Sequence, residues 1–165
     1  MKRGYVVTAL AIGCLSILAS CATVAEVDEQ PAAKKSSWFT SFDAASAEAQ
    51  KSGKPILANF TAGNSDPWGA PWCWKLDREV FEQKDFKEWA ANNVVLLELV
   101  FPFRRPQDEA TKKANAELAG KYKVEEYPTI IFMTADGKPL GLMGYERGGA
   151  QVWIEIAQKI LDGKN

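Results

Sequence analysis

Three thiols carry the reactive potential of this sequence: Cys14, Cys21 and Cys73. A thiolate is a nucleophile, so what each sulfur can do depends on its surroundings. No histidine is present, which removes imidazole metal sites and histidine-based triads. Cys73 lies between Trp72 and Trp74, with Trp68 just upstream. Shielding by such rings raises a thiol pKa and lowers reactivity. Two readings of Cys73 stand side by side. It is either a small buried hydrophobe or a thiol that forms mixed disulfides with a partner or a small thiol. The three tryptophans either anchor a client protein or fold back onto the domain. Asp77 and Glu79 read as solvated carboxylates, and Asp66 before Pro67 as a cap or turn residue. Lys112-Lys113 and Arg104-Arg105 read as exposed charges, and no phosphate-binding glycine loop or metal-ligand cluster is evident.

The other two thiols belong to the N-terminus. Lys2 and Arg3 precede a mostly apolar stretch from Val6 to Leu18, too short to span a bilayer as a permanent helix. Leu18-Ala19-Ser20-Cys21 follows, and it is similar to the lipobox of bacterial lipoproteins. That resemblance implies cleavage before Cys21, lipid on its sulfur, and attachment to a membrane. The alternative is an ordinary signal peptide or an uncleaved anchor. If the lipobox reading holds, residues 1–20 are removed and Cys73 is left as the free thiol of the mature chain. No internal disulfide can then form, although the compartment would permit one. Ala22 stands where an Asp would resemble an inner-membrane retention signal, so the outer membrane is favoured.

Composition sets wider limits. The chain has 165 residues, 47% apolar and 25% charged, enough for one domain with a core. Its formal net charge is −1 and no stretch is strongly basic, which argues against nucleic acid as a partner. Residues 21–37 lack apolar periodicity and read as a flexible tether, leaving residues 38–165 as the folded domain.

Within that domain the elements alternate. Trp38 to Thr40 predicts a short first strand, and Asp43 to Lys51 a helix ended by Gly53. Pro55 to Phe60 predicts a buried strand, followed by a breaker-rich loop from Thr61 to Ala70. Pro71 suits a first helical turn, and one amphipathic helix is expected to continue past Leu76, Val80, Phe81 and Trp89 toward Ala91. Val94 to Phe101 is a continuous apolar run, typical of a central strand. A helix over Asp108 to Lys121, a strand over Thr129 to Met133, a turn at Ala135 to Lys138, a strand over Leu140 to Met143 and a helix over Val152 to Leu161 complete the order. Such alternation predicts an α/β fold: a mixed central sheet flanked by helices.

Four segments in this order resemble the bacterial thioredoxin family: Gly53 to Thr61, Cys73 to Phe81, Tyr122 to Thr129, and Asp136-Gly137-Lys138. The family motif runs Phe-Thr-Gly-Ser-Asp-Trp-Cys-x-x-Cys-x-x-Leu. The resemblance implies a thioredoxin-like fold over about residues 38–163, with no cofactor and no metal. It also implies that Cys73 takes the place of the second cysteine and Ala70 that of the first. In a dithiol member the first thiolate attacks a disulfide and the second thiol releases the intermediate. Here a methyl group replaces the attacking sulfur, and the loop before Cys73 is about four residues longer than the pattern. Tyr127-Pro128 resembles the family's cis-proline turn, where the backbone pairs with an extended peptide. The alternative is a plain trans proline opening a strand. Two functions remain open: a module that binds client proteins or peptides through Trp68, Trp72, Trp74, Tyr127 and Pro128, or a monothiol oxidoreductase acting through Cys73.

Overall fold

Ile56 to Thr61 is a run of apolar and small residues, and every one of its six positions is buried. A strand buried on both faces needs cover on both sides, and the rest of the domain supplies it. The computed structural model describes residues 38–63, 70–103 and 105–163, which lie in one compact unit. Trp68, Asp66, Arg104, Cys21 and the N-terminal signal and tether segments lie outside the described residues.

The elements in chain order are α1 (Phe42–Ser52), β1 (Ile56–Thr61), α2 (Pro71–Leu76), a π-helical turn (Asp77–Phe81), α3 (Lys84–Asn93), β2 (Val95–Val100), α4 (Glu109–Tyr122), β3 (Thr129–Met133), β4 (Pro139–Met143) and α5 (Gly149–Leu161). The sheet order is β2-β1-β3-β4. β1 runs parallel to β2 and antiparallel to β3, and β4 returns antiparallel to β3. This is the mixed sheet flanked by helices that the element order predicted.

Alternation along the strands sorts the core into two layers. On one face Leu57, Leu96, Ile130 and Phe132 meet Leu76, Val80, Phe86 and Trp153 from α2, the π turn, α3 and α5. On the other, Ile56, Ala58, Phe60, Leu97 and Ile131 meet Ala45 and Ala49 of α1, with Leu118 and Tyr122 of α4 packed against them. Caps fix the helix ends. Ser41 accepts the Ala44 N–H, and Asp108 accepts the Thr111 N–H at 2.8 Å. Gly53 ends α1 at φ +72°, a conformation open to glycine at little cost. Gly137, at φ +81°, has a further reason: a Cβ there would sit 2.7 Å from the Tyr122 hydroxyl.

Two expectations are corrected. Trp38 to Thr40 forms no named strand; Phe39 makes an isolated parallel bridge to Leu97. The single long helix after Pro71 is broken. At Asp77–Phe81 it widens, with the Glu82 N–H donating to the Asp77 carbonyl, and Gln83 is extended at ψ 145° before α3 begins. The wider turn lets adjacent Val80 and Phe81 both enter the core, at 0% and 6% exposure. Side chains serve the carbonyls released at the break: Gln83 Nε2 donates to Arg78 O and Lys87 Nζ to Glu82 O, each at 2.6 Å.

Trp153 of α5 organises the first layer. It is fully buried and edges against Phe81 at 5.7 Å and Phe86 at 5.6 Å, while its indole N–H donates to the Gly144 carbonyl at 3.0 Å. Trp153→Ala is expected to cost about 3–5 kcal/mol of stability. Urea denaturation followed by circular dichroism measures this, and a cost below about 1 kcal/mol would contradict the packing described.

Candidate functional site

The site grows from the start of α2. Ala70 precedes the helix with φ −141° and ψ 62° and offers no side-chain cap. Pro71 opens the helix without an amide N–H to satisfy, and Trp74 N–H bonds the Ala70 carbonyl at 3.1 Å. Cys73 is the third helical residue. Cys73, Leu76, Asp77 and Val80 are all buried, the spacing of one helical face. The sulfur-bearing residue is 2% exposed and packs with Ala62, Ala70 and Tyr127.

Trp72 and Trp74 do not bury Cys73. Helix geometry turns neighbours i−1 and i+1 away from the inward face, and Trp72 and Trp74 are 46% and 36% exposed. The shielding expected from them comes instead from two alanine methyls and the Tyr127 ring. Trp72 lies over Tyr145 with ring centroids 5.6 Å apart, and Lys75 Nζ sits 5.0 Å from its ring. Trp74 faces Arg78. Asp77, expected to be solvated, is buried. Glu79 accepts a hydrogen bond from the Tyr145 hydroxyl. That bond is the main cause that raises the Tyr145 phenol above its ordinary pKa.

The Tyr127-Pro128 peptide bond is cis. Tyr127 stacks on Phe101 at 4.9 Å and an interplanar angle of 19°. Burial first, and then the Cys73 sulfur, hold its phenol above the usual tyrosine value, so it stays neutral. A groove of about 700 Å³ opens beside it, walled by Trp72, Tyr127, Pro128, Leu142, Met143 and Tyr145, with Glu126, Glu146 and Arg147 at its rim. Trp72, Tyr127 and Pro128 are thus brought together. Trp74 is not part of this wall. Leu142, 72% exposed, and Tyr145 belong to it without having been singled out from sequence. The unalternating Leu140-Gly141-Leu142-Met143 and the aromatic just after it were the available signals.

Beneath α2 lies a polar pair in an apolar layer. Asn59 of β1 and Glu98 of β2 are register partners. They share the sheet face of Leu57, which packs with Leu76 and Val80. Asn59 is 1% exposed, and its Oδ1 has no hydrogen-bond partner among the described residues. Burial pushes the Glu98 carboxyl above the ordinary carboxylate range. Among the described residues, no cluster of three or more His, Cys, Asp or Glu is placed to hold a metal, and no helix is long and apolar enough to cross a membrane.

Comparison with known proteins agrees with this architecture. A family model described as a thioredoxin-like domain matches residues 42–157. The disulfide bond reductase DsbH of Chlamydia pneumoniae is 27% identical over 157 residues, spanning 91% of this chain and 92% of that protein. The thioredoxin-related protein DsbJ of the same organism is 26% identical over 114 residues, which span 67% of this chain and only 32% of DsbJ. A solved structure described as DsbH oxidoreductase superposes with a TM-score of 0.69 at 32% identity, covering 76% of this chain and 84% of that one. A Thermus thermophilus thioredoxin shares the fold, with a TM-score of 0.57 at 16% identity over 79% of this chain and 91% of its own.

Glu98 yields a pH prediction. A carboxyl whose native pKa is raised holds its proton more tightly folded than unfolded. Its contribution is fully present below the ordinary carboxylate pKa and is lost as pH rises through the native value. Glu98→Gln removes that loss. The stability of the variant relative to the parent should therefore climb as pH rises above the ordinary carboxylate range. Urea midpoints across that rise in pH measure the difference, and parallel profiles would contradict it.

Proposed function

The chain belongs to the thioredoxin-like domain family, and from that premise we propose that it is an envelope-anchored binding protein for extended client polypeptides. In this reading it has kept the substrate groove of its fold and lost the attacking thiol. The observation that carries the reading is a contrast. The groove of about 700 Å³ beside Tyr127-Pro128 is open and walled by aromatics. Cys73 is buried, and a methyl group occupies position 70, three residues before it. An extended backbone laid beside Pro128 gains strand-like pairing, while Trp72 and Tyr145 supply apolar anchors. The similarity of Leu18-Ala19-Ser20-Cys21 to a lipobox supports anchoring through lipid on Cys21, facing the periplasm or the cell surface. Ala22 favours the outer membrane.

A second reading has a specific observation behind it: the relative named a disulfide bond reductase aligns with 91% of this chain. Here the Cys73 thiolate attacks a client disulfide, forms a mixed disulfide and expels the other client sulfur as a thiolate. Release then requires an external thiol, because Cys73 is the one cysteine among the described residues.

Binding of fluorescein-labelled extended peptides to the mature protein separates the two. Trp72→Ala should weaken binding about tenfold, and Cys73→Ser should leave affinity within about twofold. Rapid labelling of native Cys73 near neutral pH, together with insulin-disulfide reduction abolished by Cys73→Ser, would move the assignment to the monothiol enzyme. The register of the motif has its own test. Ala70→Cys should form a reducible disulfide with Cys73 on oxidation, seen as a mass loss of two hydrogen atoms and a thiol count of zero in the mature chain. Two free thiols after oxidation would mean that residue 70 is not the first motif position.

A further inference from the structure

Tyr127 lines two depressions. One is the groove that contains Trp72 and Pro128. The other is a separate hollow of about 530 Å³ under the connection from β2 to α4. Phe101, Phe103, Arg105, Pro106 and Lys112 form the rest of its wall. Phe103 is 64% exposed, the second most exposed of the large apolar side chains described, after Leu142 in the groove. The two most exposed of the large apolar side chains described therefore lie one in each of the two depressions that share Tyr127.

The charges differ between the two depressions. The hollow carries Arg105 and Lys112 against one carboxylate, Glu109, which lies 3.6 Å from Lys112 in an exposed pair of little strength. The groove carries Glu126 and Glu146 against Arg147. Among the described residues, the hollow is thus net positive and the groove net negative. Arginine beside an exposed aromatic ring suits a carboxylate that approaches along an apolar surface.

We propose that the hollow between Tyr127 and the β2–α4 connection is a second client subsite, which takes an acidic side chain of the same extended polypeptide that occupies the groove. This rests on the client-binding reading of the groove. The polypeptide crosses over Tyr127. Its apolar residue meets Trp72 and Leu142, and its Asp or Glu reaches Arg105 and Lys112 with its stem on Phe103.

The test uses the mature protein and fluorescein-labelled peptides with one shared apolar anchor. Two asparagines are placed before the anchor in one peptide and after it in another, and each is paired with its aspartate counterpart. For one of the two placements, the aspartate peptide should bind at least fivefold tighter than its asparagine twin, and the gap should shrink with added salt. Arg105→Ser and, separately, Lys112→Ser should each erase most of that gap while leaving the asparagine peptide unaffected. Phe103→Ala should weaken the aspartate peptide about threefold to tenfold. Equal binding of both twins in both placements, or a preference that survives the Arg105→Ser/Lys112→Ser double variant, would overturn the proposal. Trp72→Ala tells this failure from that of the groove reading. Trp72-dependent binding without an acidic preference removes only the second subsite, whereas absence of any Trp72-dependent binding removes both.

Discussion

The hydrogen bond from the Trp153 indole to the Gly144 carbonyl joins the core to the site. Trp153 is anchored by Phe81, Phe86, Trp89 and Phe132, so its N–H has a fixed direction. Gly144 ends the β4 edge of the groove and comes close to the Pro128 carbonyl, which a Cβ at 144 would approach to 3.5 Å. Tyr145 follows directly, lies against Trp72, and donates to Glu79 of the π turn. Three segments distant in sequence are thereby held in register by one buried ring. Burial gives that ring its weight, and the hydrogen bond aims it.

The same economy explains why Cys73 is covered while its neighbours are not. A short helix that begins with proline and carries buried residues at 73, 76, 77 and 80 has one inward face. The cysteine falls on it and the tryptophans fall off it. The consequence is a division of labour along three consecutive residues. Trp72 presents an aromatic surface to the groove, Cys73 packs with two alanines and Tyr127, and Trp74 stands over Arg78.

Much of this was legible in residue order. Strands β1, β2 and β3 announce themselves as apolar runs because they are buried on both faces, and helix α1 by the glycine that ends it at 53. The cis proline turn was legible from its resemblance. The π turn was not, because Asp77 to Phe81 has ordinary helical composition and only tertiary packing favours placing Val80 and Phe81 together in the core. The burial of Asp77 was missed for the same reason. Asn59 and Glu98 were hidden differently: they sit inside apolar runs, where a single polar residue reads as the solvent face of a strand, and only pairing β1 with β2 shows them side by side. Leu142 was read as strand, correctly, but its exposure depends on β4 being the last strand of the sheet.

That position at the rim has a further implication. A terminal strand carrying Leu140 and Leu142 outward is a template on which a neighbouring copy could add its own strand, a hazard that grows where many copies share one surface. Two features blunt it. Pro139 has no amide hydrogen to offer, and a pairing irregularity at Phe132/Met133 bends the ladder near the same end. What remains is a run of three or four residues, too brief to nucleate a fibril but long enough to greet a single passing strand.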